Sequence, residues 1–237
     1  MIYGVGLGPG DPDLMSVKAR RLIERAQYVA YFHKRGRTGH ARSIVEGLLP
    51  DGCEEYAMEY PVTTEIPISD PMYNGSLAPF YDDCAMRLAA RAARGDDVLI
   101  LCEGDPFFYG SFMHLYERLK THHEVQTIPA ITGMSGAYTA TGLPITWGDD
   151  IMTVLMGTLD QETLTAQATH SDALVIMKIG RNLAKVTAAL KEAGKYDAAW
   201  IVEYATQPAQ TVQKLADYGD TAPYFSIILV HGQGRRP

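Results

Sequence analysis

Short apolar runs alternate with helical patterns through the first half of the chain, and this alternation restricts the fold more than any other feature. The strand-like runs lie at 2–7, 27–32, 53–59, 97–102 and 124–129. The helical patterns lie between them, at 13–25, 40–48, 78–94 and 111–121. Strand, helix and strand in succession are typical of βαβ units with parallel strands. The first half is therefore predicted to be a largely parallel sheet with helices on both faces.

The pattern changes near residue 128, where a second series of elements begins. A helix rich in small residues is predicted at 133–142 and further helices at 161–168 and 182–193, with strands at 152–156, 173–178, 198–204 and 225–231. The fold class is therefore α/β, with two α/β domains at 1–128 and 129–237, a mixed sheet in the second, and an interdomain ligand cleft. The polar stretch 63–76 is predicted to be a long connection.

Two of the predicted strands run directly into turns rich in glycine, proline and aspartate. One turn, 8–12, follows the first strand, and the other, 103–106, follows the fourth and carries Asp105. Open α/β sheets bind their ligands beyond the carboxyl ends of the strands. The two turns are therefore predicted to share one cleft.

The first turn does not match the dinucleotide fingerprint G-x-G-x-x-G. Pro9 stands at the third glycine position counted from Gly4, and Asp11 stands there when the count starts at Gly6. Proline lacks an amide donor and aspartate adds negative charge, so a pyrophosphate would be poorly bound here. A neutral or cationic ligand suits this turn better.

Charge and cysteine content argue against several classes of protein. The net charge is -7, from 21 basic and 28 acidic residues, and no window is dense in Lys and Arg, so no nucleic-acid partner is expected. No apolar run approaches the roughly 20 residues of a membrane helix, and no targeting segment is evident, so we expect a cytoplasmic protein without a membrane partner. The 3 cysteines show no C-x-x-C spacing, which favours reduced thiols and no metal site.

Three segments, at 6–12, 104–106 and 129–137, resemble in order and spacing the signatures of the tetrapyrrole methylases. Segments 60–63, 110–112, 177–186 and 223–226 are most similar to the branch that methylates C20 of precorrin-2 in cobalamin synthesis. The resemblance covers nearly the whole chain. It implies a two-domain fold, a homodimer, and S-adenosylmethionine as the methyl donor, consumed as a cosubstrate without a metal.

By this resemblance the donor would lie between the domains, in contact with Pro9, Glu103, Gly104, Asp105, Phe108, Thr132, Gly133, Met134, Ser135, Met177 and Ala205. Structural roles compete for several of these positions. Met177 fits a buried strand, Thr132 and Ser135 fit the N-cap of the helix near Gly133, and Asp105 fits an Asx-type cap.

The implied acceptor is a polycarboxylated tetrapyrrole, so its binding surface should offer cations and aromatic rings. The candidates are Lys34, Arg35, Arg37, Tyr109 and Arg181, although an exposed Lys or Arg is most often merely solvated. Carbon C20 is electron-rich and needs no strong base, but its proton must leave after methylation. Glu103 is a candidate acceptor for that proton, beside water or a substrate carboxylate, and no catalytic residue is assigned.

Several alternatives remain open. The cobalt-containing analogue of precorrin-2 is one, and methylation of another ring carbon is a second. A nucleotide-dependent oxidoreductase and a non-catalytic binding module are others, the former weakened by the broken glycine fingerprint. The chain also departs from the simplest family pattern at Ala130, at 157–160 and at Tyr204, without losing a donor-site motif.

Overall fold

The computed structural model describes residues 1–63 and 70–236, which form two compact units. The first unit is Met1–Thr132 and the second is Gly133–Pro237. The predicted boundary after residue 128 and the predicted cleft between the domains stay predictions. Among the described residues, no helix is both long enough and apolar enough to cross a membrane.

Within residues 1–63 and 70–132, the first unit is a five-stranded parallel sheet with four α-helices, as predicted. Its strands are β1 (Ile2–Gly6), β2 (Tyr28–His33), β3 (Glu54–Glu59), β4 (Val98–Cys102) and β5 (Val125–Ile128), in the spatial order β3-β2-β4-β1-β5. Its helices are α1 (Val17–Ile23), α2 (His40–Ile44), α3 (Pro71–Ala92) and α4 (Phe112–Leu119). Each pair of neighbouring strands is parallel.

Alternate side chains of β4 build two separate cores, one on each face of this sheet. Leu99 and Leu101 pack in the core that includes residues of α1 and α2. Val98 and Ile100 pack in the core that includes residues of α3 and α4. Because successive side chains of a strand point to opposite faces, a strand covered on both sides is apolar throughout. Helices therefore lie on both faces, as predicted.

The second unit contains a mixed five-stranded sheet. Its strands are β6 (Met152–Met156), β7 (Ala173–Met177), β8 (Ala199–Glu203), β9 (Thr211–Lys214) and β10 (Ser226–Val230), in the order β6-β7-β10-β8-β9. Its helices are α5 (Gly133–Ala140), α6 (Gln161–His170) and α7 (Leu183–Glu192). Strands β6 and β7 are parallel, whereas β10 is antiparallel to β7 and β8, and β9 is antiparallel to β8. The predicted mixed sheet is confirmed.

Two expectations about local structure were wrong. Helix α3 begins at Pro71, so the described end of the predicted connection 63–76 is helical, and residues 64–69 lie outside the described part. The Asp70 side chain accepts a hydrogen bond from the amide of Met72 at 2.9 Å and starts the helix there.

Strand β9 was missed because its sequence, TVQK, is mostly polar. It forms because Thr211–Lys214 pairs with β8 at the edge of the sheet.

Candidate functional site

The carboxyl ends of β1 and β4 form the topological switch point of the first sheet. Strands β1 and β4 are neighbours in the sheet. After β1 the chain continues to β2, which lies on the other side of β4, and after β4 it continues to β5, which lies on the other side of β1. In open α/β sheets, ligands bind at such a point, where successive connections diverge. The predicted turns 8–12 and 103–106 both begin here.

The two turns are hydrogen-bonded to each other. The amide of Gly104 donates to the carbonyl oxygen of Gly8 at 2.8 Å, and the amide of Leu7 donates to that of Cys102 at 2.9 Å. Gly8 and Gly104 have φ of 84° and 66°, a left-handed conformation that favours glycine. The turns that the sequence predicted to share a cleft are therefore direct neighbours.

Gly6, the last residue of β1, allows the ends of three strands to approach closely. A Cβ atom at Gly6 would lie 2.6 Å from Cβ of Ala130 and 2.9 Å from both the carbonyl oxygen of Ile128 and Cδ of Pro106. Such distances are far below van der Waals contact, so only glycine fits without movement of the backbone. The segments that follow β1, β4 and β5 thus form one tightly packed edge.

Asp105 binds two backbone amides of this edge. Its Oδ1 accepts from the amide of Phe107 at 2.9 Å, and its Oδ2 accepts from the amide of Ala130 at 2.9 Å. The first bond is of the Asx type that the sequence suggested. It stabilises the turn rather than the start of a helix, because helix α4 begins only at Phe112. The second bond joins the turn after β4 to the segment after β5. A ligand contact of Asp105 stays a prediction.

Glu103 carries the most perturbed carboxyl group at this edge. Its side chain is partly buried, and it has no hydrogen-bond or ion-pair partner among the residues that the structure describes. Burial raises its pKa from 4.5 to about 7, because the ionised form loses solvation without gaining a partner. This carboxyl group can therefore accept or release a proton near neutral pH. The thiol of the preceding residue, Cys102, has a pKa raised by burial, which agrees with a core thiol rather than a nucleophile.

In the second unit, three of the predicted donor-binding residues pack against one apolar cluster. Met134 of α5, Met177 at the end of β7 and Ala205 after β8 all contact a cluster formed by buried residues, namely Ala137, Val175, Val202 and Leu229. Strand β10 lies between β7 and β8 and is antiparallel to both, so β7 and β8 end at the same edge of the sheet. We call the part of the sheet where these two strands end the β7/β8 edge. The packing shows what the sequence could not, that Met134 contacts the same apolar cluster as Met177 and Ala205.

Non-glycine residues in the left-handed conformation concentrate at these strand ends. Lys178, Tyr204 and Thr206, at the β7/β8 edge, have φ of 57°, 46° and 67°, and Tyr109, after the turn of β4, has φ of 56°. These are the only such residues in the described part of the chain. Held backbone strain of this kind is common at functional sites. Sequence reasoning did not single out Lys178, because nothing in its local pattern signals a positive φ.

The remaining predicted donor residues lie in the same regions. Pro9 is buried in the turn after β1, and Phe108 packs edge-on against Tyr109 with ring centroids 4.9 Å apart. Thr132 ends the first unit and α5 begins at Gly133, where the sequence predicted a helix to start. The hydroxyl of Ser135 accepts from that of Tyr138 at 3.3 Å.

Most of the predicted tetrapyrrole-binding residues belong to the first unit. Lys34, Arg35 and Arg37 follow β2, the strand beside β4, so they lie at the same edge of the parallel sheet as Glu103. Arg37 lines a cavity of about 380 Å³ with neighbours that include Tyr31 and His33. Arg35 is largely exposed, with its Nε 3.1 Å from Oε1 of Glu59. Tyr109 is exposed at the same edge, whereas Arg181 lies in the second unit, in a 3₁₀ turn after β7.

Similarity to known proteins extends over nearly the whole chain. The family model of the tetrapyrrole (corrin/porphyrin) methylases matches residues 1–217. The precorrin-2 C(20)-methyltransferase of a Sinorhizobium species is 46% identical over 237 residues, covering 100% of this chain and 97% of the relative. The cobalt-precorrin-2 C(20)-methyltransferase of Salmonella typhimurium is 25% identical, covering 98% and 96%. A solved cobalt precorrin-4 methyltransferase is similar with a TM-score of 0.74 at 23% identity, covering 97% of this chain and 94% of that one.

Proposed function

The chain belongs to the tetrapyrrole (corrin/porphyrin) methylases, and we propose that it transfers a methyl group from S-adenosylmethionine to C20 of precorrin-2, giving precorrin-3A in cobalamin synthesis. The observation that carries this proposal is the identity of 46% over the full length of the Sinorhizobium precorrin-2 C(20)-methyltransferase. Metal-free precorrin-2 is favoured over the cobalt-containing substrate because the Salmonella relative named for the latter is only 25% identical.

The residues of the first unit fit a cationic donor. S-adenosylmethionine carries a sulfonium and an ammonium, and the turn after β4 offers the carboxylate of Glu103, which has no partner within residues 1–63 and 70–236. The neighbouring Gly8 and Gly104 have no side chains and allow close approach. Pro9, which has no amide donor, lies in the same turn as Gly8. The residues proposed to contact the donor here are Pro9, Glu103, Gly104, Asp105, Phe108 and Thr132.

The residues of the second unit fit the apolar part of the donor. Met134, Met177 and Ala205 pack against one cluster, and an adenine ring needs such an apolar surface together with a few backbone groups. Gly133 and Ser135 belong to the same helix as Met134. These five residues complete the proposed donor contacts, and no metal is proposed.

Positioning accounts for most of the proposed catalysis. When bound, S-adenosylmethionine supplies an electrophilic methyl group on a sulfonium. Holding both partners in line is worth an effective molarity of roughly 10⁵ to 10⁸ M in favourable cases. The hydrogen bonds of Asp105 to Phe107 and Ala130 keep the turn after β4 in one conformation. The apolar residues 106–108 of that turn are proposed to exclude water once both substrates are bound, which would favour a transition state with dispersed charge.

Glu103 is the proposed acceptor of the C20 proton. Its pKa of about 7 means that a large fraction of the carboxyl group is ionised at neutral pH and can take up a proton. Water or a substrate carboxylate is the alternative acceptor. Replacement by glutamine, Glu103→Gln, keeps the size of the side chain and removes the base. Because Glu103 is also a proposed donor contact, a fall in kcat much larger than any loss of affinity for S-adenosylhomocysteine would support a role as base.

The proposed reaction is tested by incubating the purified protein without oxygen with precorrin-2 and methyl-labelled S-adenosylmethionine. Mass spectrometry and carbon NMR then locate the transferred label. Label at C20 supports the proposal, and label at another ring carbon would instead establish a sister activity of the same family. A parallel incubation with the cobalt-containing substrate decides the metal preference. Release of no S-adenosylhomocysteine in either incubation would refute the proposal.

The tetrapyrrole is proposed to bind through Lys34, Arg35, Arg37, Tyr109 and Arg181. The first four lie at the same edge of the first sheet as the turn after β4, which supports them as one group. The protein is further proposed to be a cytoplasmic homodimer. Light scattering of the purified protein measures its mass in solution and tests the homodimer.

A further inference from the structure

Lys178 carries a partly buried ammonium group to which the proposed reaction assigns no role. It follows Met177, the last residue of β7, at the β7/β8 edge. Its side chain is partly buried, and burial lowers the pKa of its ammonium group. Within residues 1–63 and 70–236 this ammonium has no hydrogen-bond or ion-pair partner. A lysine in such surroundings differs from one that is simply solvated, because its desolvation is not offset by any acceptor in the described chain.

The backbone around Lys178 is fixed by specific contacts. Lys178 has φ of 57°, which is unfavourable for a residue with a Cβ atom. The amide of Gly157 donates to the carbonyl oxygen of Met177 at 2.7 Å, and Nδ2 of Asn182 donates to that of Lys178 at 3.1 Å. A Cβ atom at Gly157 would lie 2.9 Å from the carbonyl oxygen of Lys178, so glycine is needed there. These contacts fix the backbone conformation of the turn, and this conformation sets the direction of the Lys178 side chain.

Aromatic rings lie at the same edge. Tyr204 lies in the turn after β8. The distance between ring centroids is 6.2 Å for Tyr204 and Phe225, and 5.0 Å for Phe225 and Tyr224. Tyr224 is 55% exposed. Strand β10 separates β7 from β8, so the turns that carry Lys178 and Tyr204 are about 10 Å apart, two strand spacings. A cation and aromatic rings at this separation suit a large, flat, anionic ligand.

We propose that Lys178 binds a carboxylate of a ligand at the β7/β8 edge, and that the aromatic rings of Tyr204 and Tyr224 pack against the same ligand. This inference rests on the proposed function, which supplies two sources of a carboxylate. One is an acetate or propionate side chain of the tetrapyrrole, and the other is the methionine carboxylate of the donor. Lys178 is therefore a binding residue, and it takes no part in the transfer of the methyl group.

Binding measurements on matched lysine variants test this inference. Lys178→Met removes the positive charge and keeps most of the side-chain volume, whereas Lys178→Arg keeps a positive charge at the same position. Lys195→Met is the control, because Lys195 precedes β8 and lies at the opposite edge of the sheet. Affinities for precorrin-2, under anaerobic conditions, and for S-adenosylhomocysteine are measured separately by fluorescence quenching and calorimetry.

Lys178→Met is expected to weaken the binding of one of the two ligands by about 10- to 100-fold, the usual effect of losing a hydrogen bond to a charged group. Lys178→Arg is expected to stay within a few fold of the wild type, and Lys195→Met to equal it. Loss of affinity for precorrin-2 identifies the tetrapyrrole carboxylate, and loss for S-adenosylhomocysteine identifies the donor carboxylate. Unchanged affinity for both ligands in a folded Lys178→Met protein, or an equal loss in Lys195→Met, overturns the inference. Turnover by the wild type tests the proposed function separately.

Discussion

Replacing Glu103 by glutamine should stabilise the protein above neutral pH and leave its stability in acid unchanged. The carboxyl group of Glu103 has a pKa of about 7 in the folded chain, against 4.5 as its ordinary value. Between these two values the folded state binds more protons at this residue than the unfolded state does. Folding stability therefore falls as the pH rises through this window and stays reduced above it.

The size of the effect follows from the two pKa values. A rise from 4.5 to about 7 corresponds to about 3 kcal/mol, an upper figure because the side chain is only partly buried. Glutamine is uncharged at every pH and fills nearly the same volume, so Glu103→Gln lacks this loss. In a chain of this size, 1 kcal/mol corresponds to about 2–4 °C in Tm. The variant should therefore melt up to about 10 °C above the wild type at pH 8, and at the same temperature near pH 4.5.

Thermal unfolding of the ligand-free protein, followed by circular dichroism from pH 4.5 to pH 8, measures the difference. Glu117→Gln is the matched control. Glu117 is 62% exposed and pairs with Lys120 at 2.6 Å, and a surface pair of this kind is worth less than about 1 kcal/mol. A difference between Glu103→Gln and the wild type that does not grow with pH would refute the reasoning. So would a variant less stable than the wild type at pH 8.

Three further variants test the strand ends and the turns that follow them, and a fourth serves as a control. Gly6→Ala should destabilise the protein by about 1–3 kcal/mol and weaken S-adenosylhomocysteine binding, because its Cβ would lie 2.6 Å from that of Ala130. Gly75→Ala is its control: Gly75 lies inside α3, and a Cβ atom there would meet open space, so a gain of about 0.5–1 kcal/mol in urea unfolding is expected. Asp105→Ala removes the acceptor of two backbone amides and should cost about 1–3 kcal/mol in the same assay. Lys178→Gly should raise Tm by a few degrees, since glycine tolerates φ of 57°, while ligand affinity falls; a lower Tm would contradict the strain at this position.

The sequence by itself determined the layers of the fold. Alternation of apolar runs with helical patterns predicted the parallel sheet of the first unit, because helices on both faces make each strand apolar throughout. The glycine, proline and aspartate turns after β1 and β4 predicted a shared ligand edge, since such residues end strands and permit close approach. The ordered motifs at 6–12, 104–106 and 129–137 predicted the family. These features are local, so they can be read one segment at a time.

Only the tertiary structure decided the chemistry of individual side chains. The neutral-range pKa of Glu103 depends on its burial in the folded chain, and the second bond of Asp105 depends on Ala130, which follows a different strand. The conformation of Lys178 is held in part by Gly157, which meets it only after β6 and β7 have paired. Strand β9 likewise forms because its backbone pairs with that of β8. Desolvation, long-range hydrogen bonds and held backbone strain arise when distant segments pack together, and a local pattern carries no record of them.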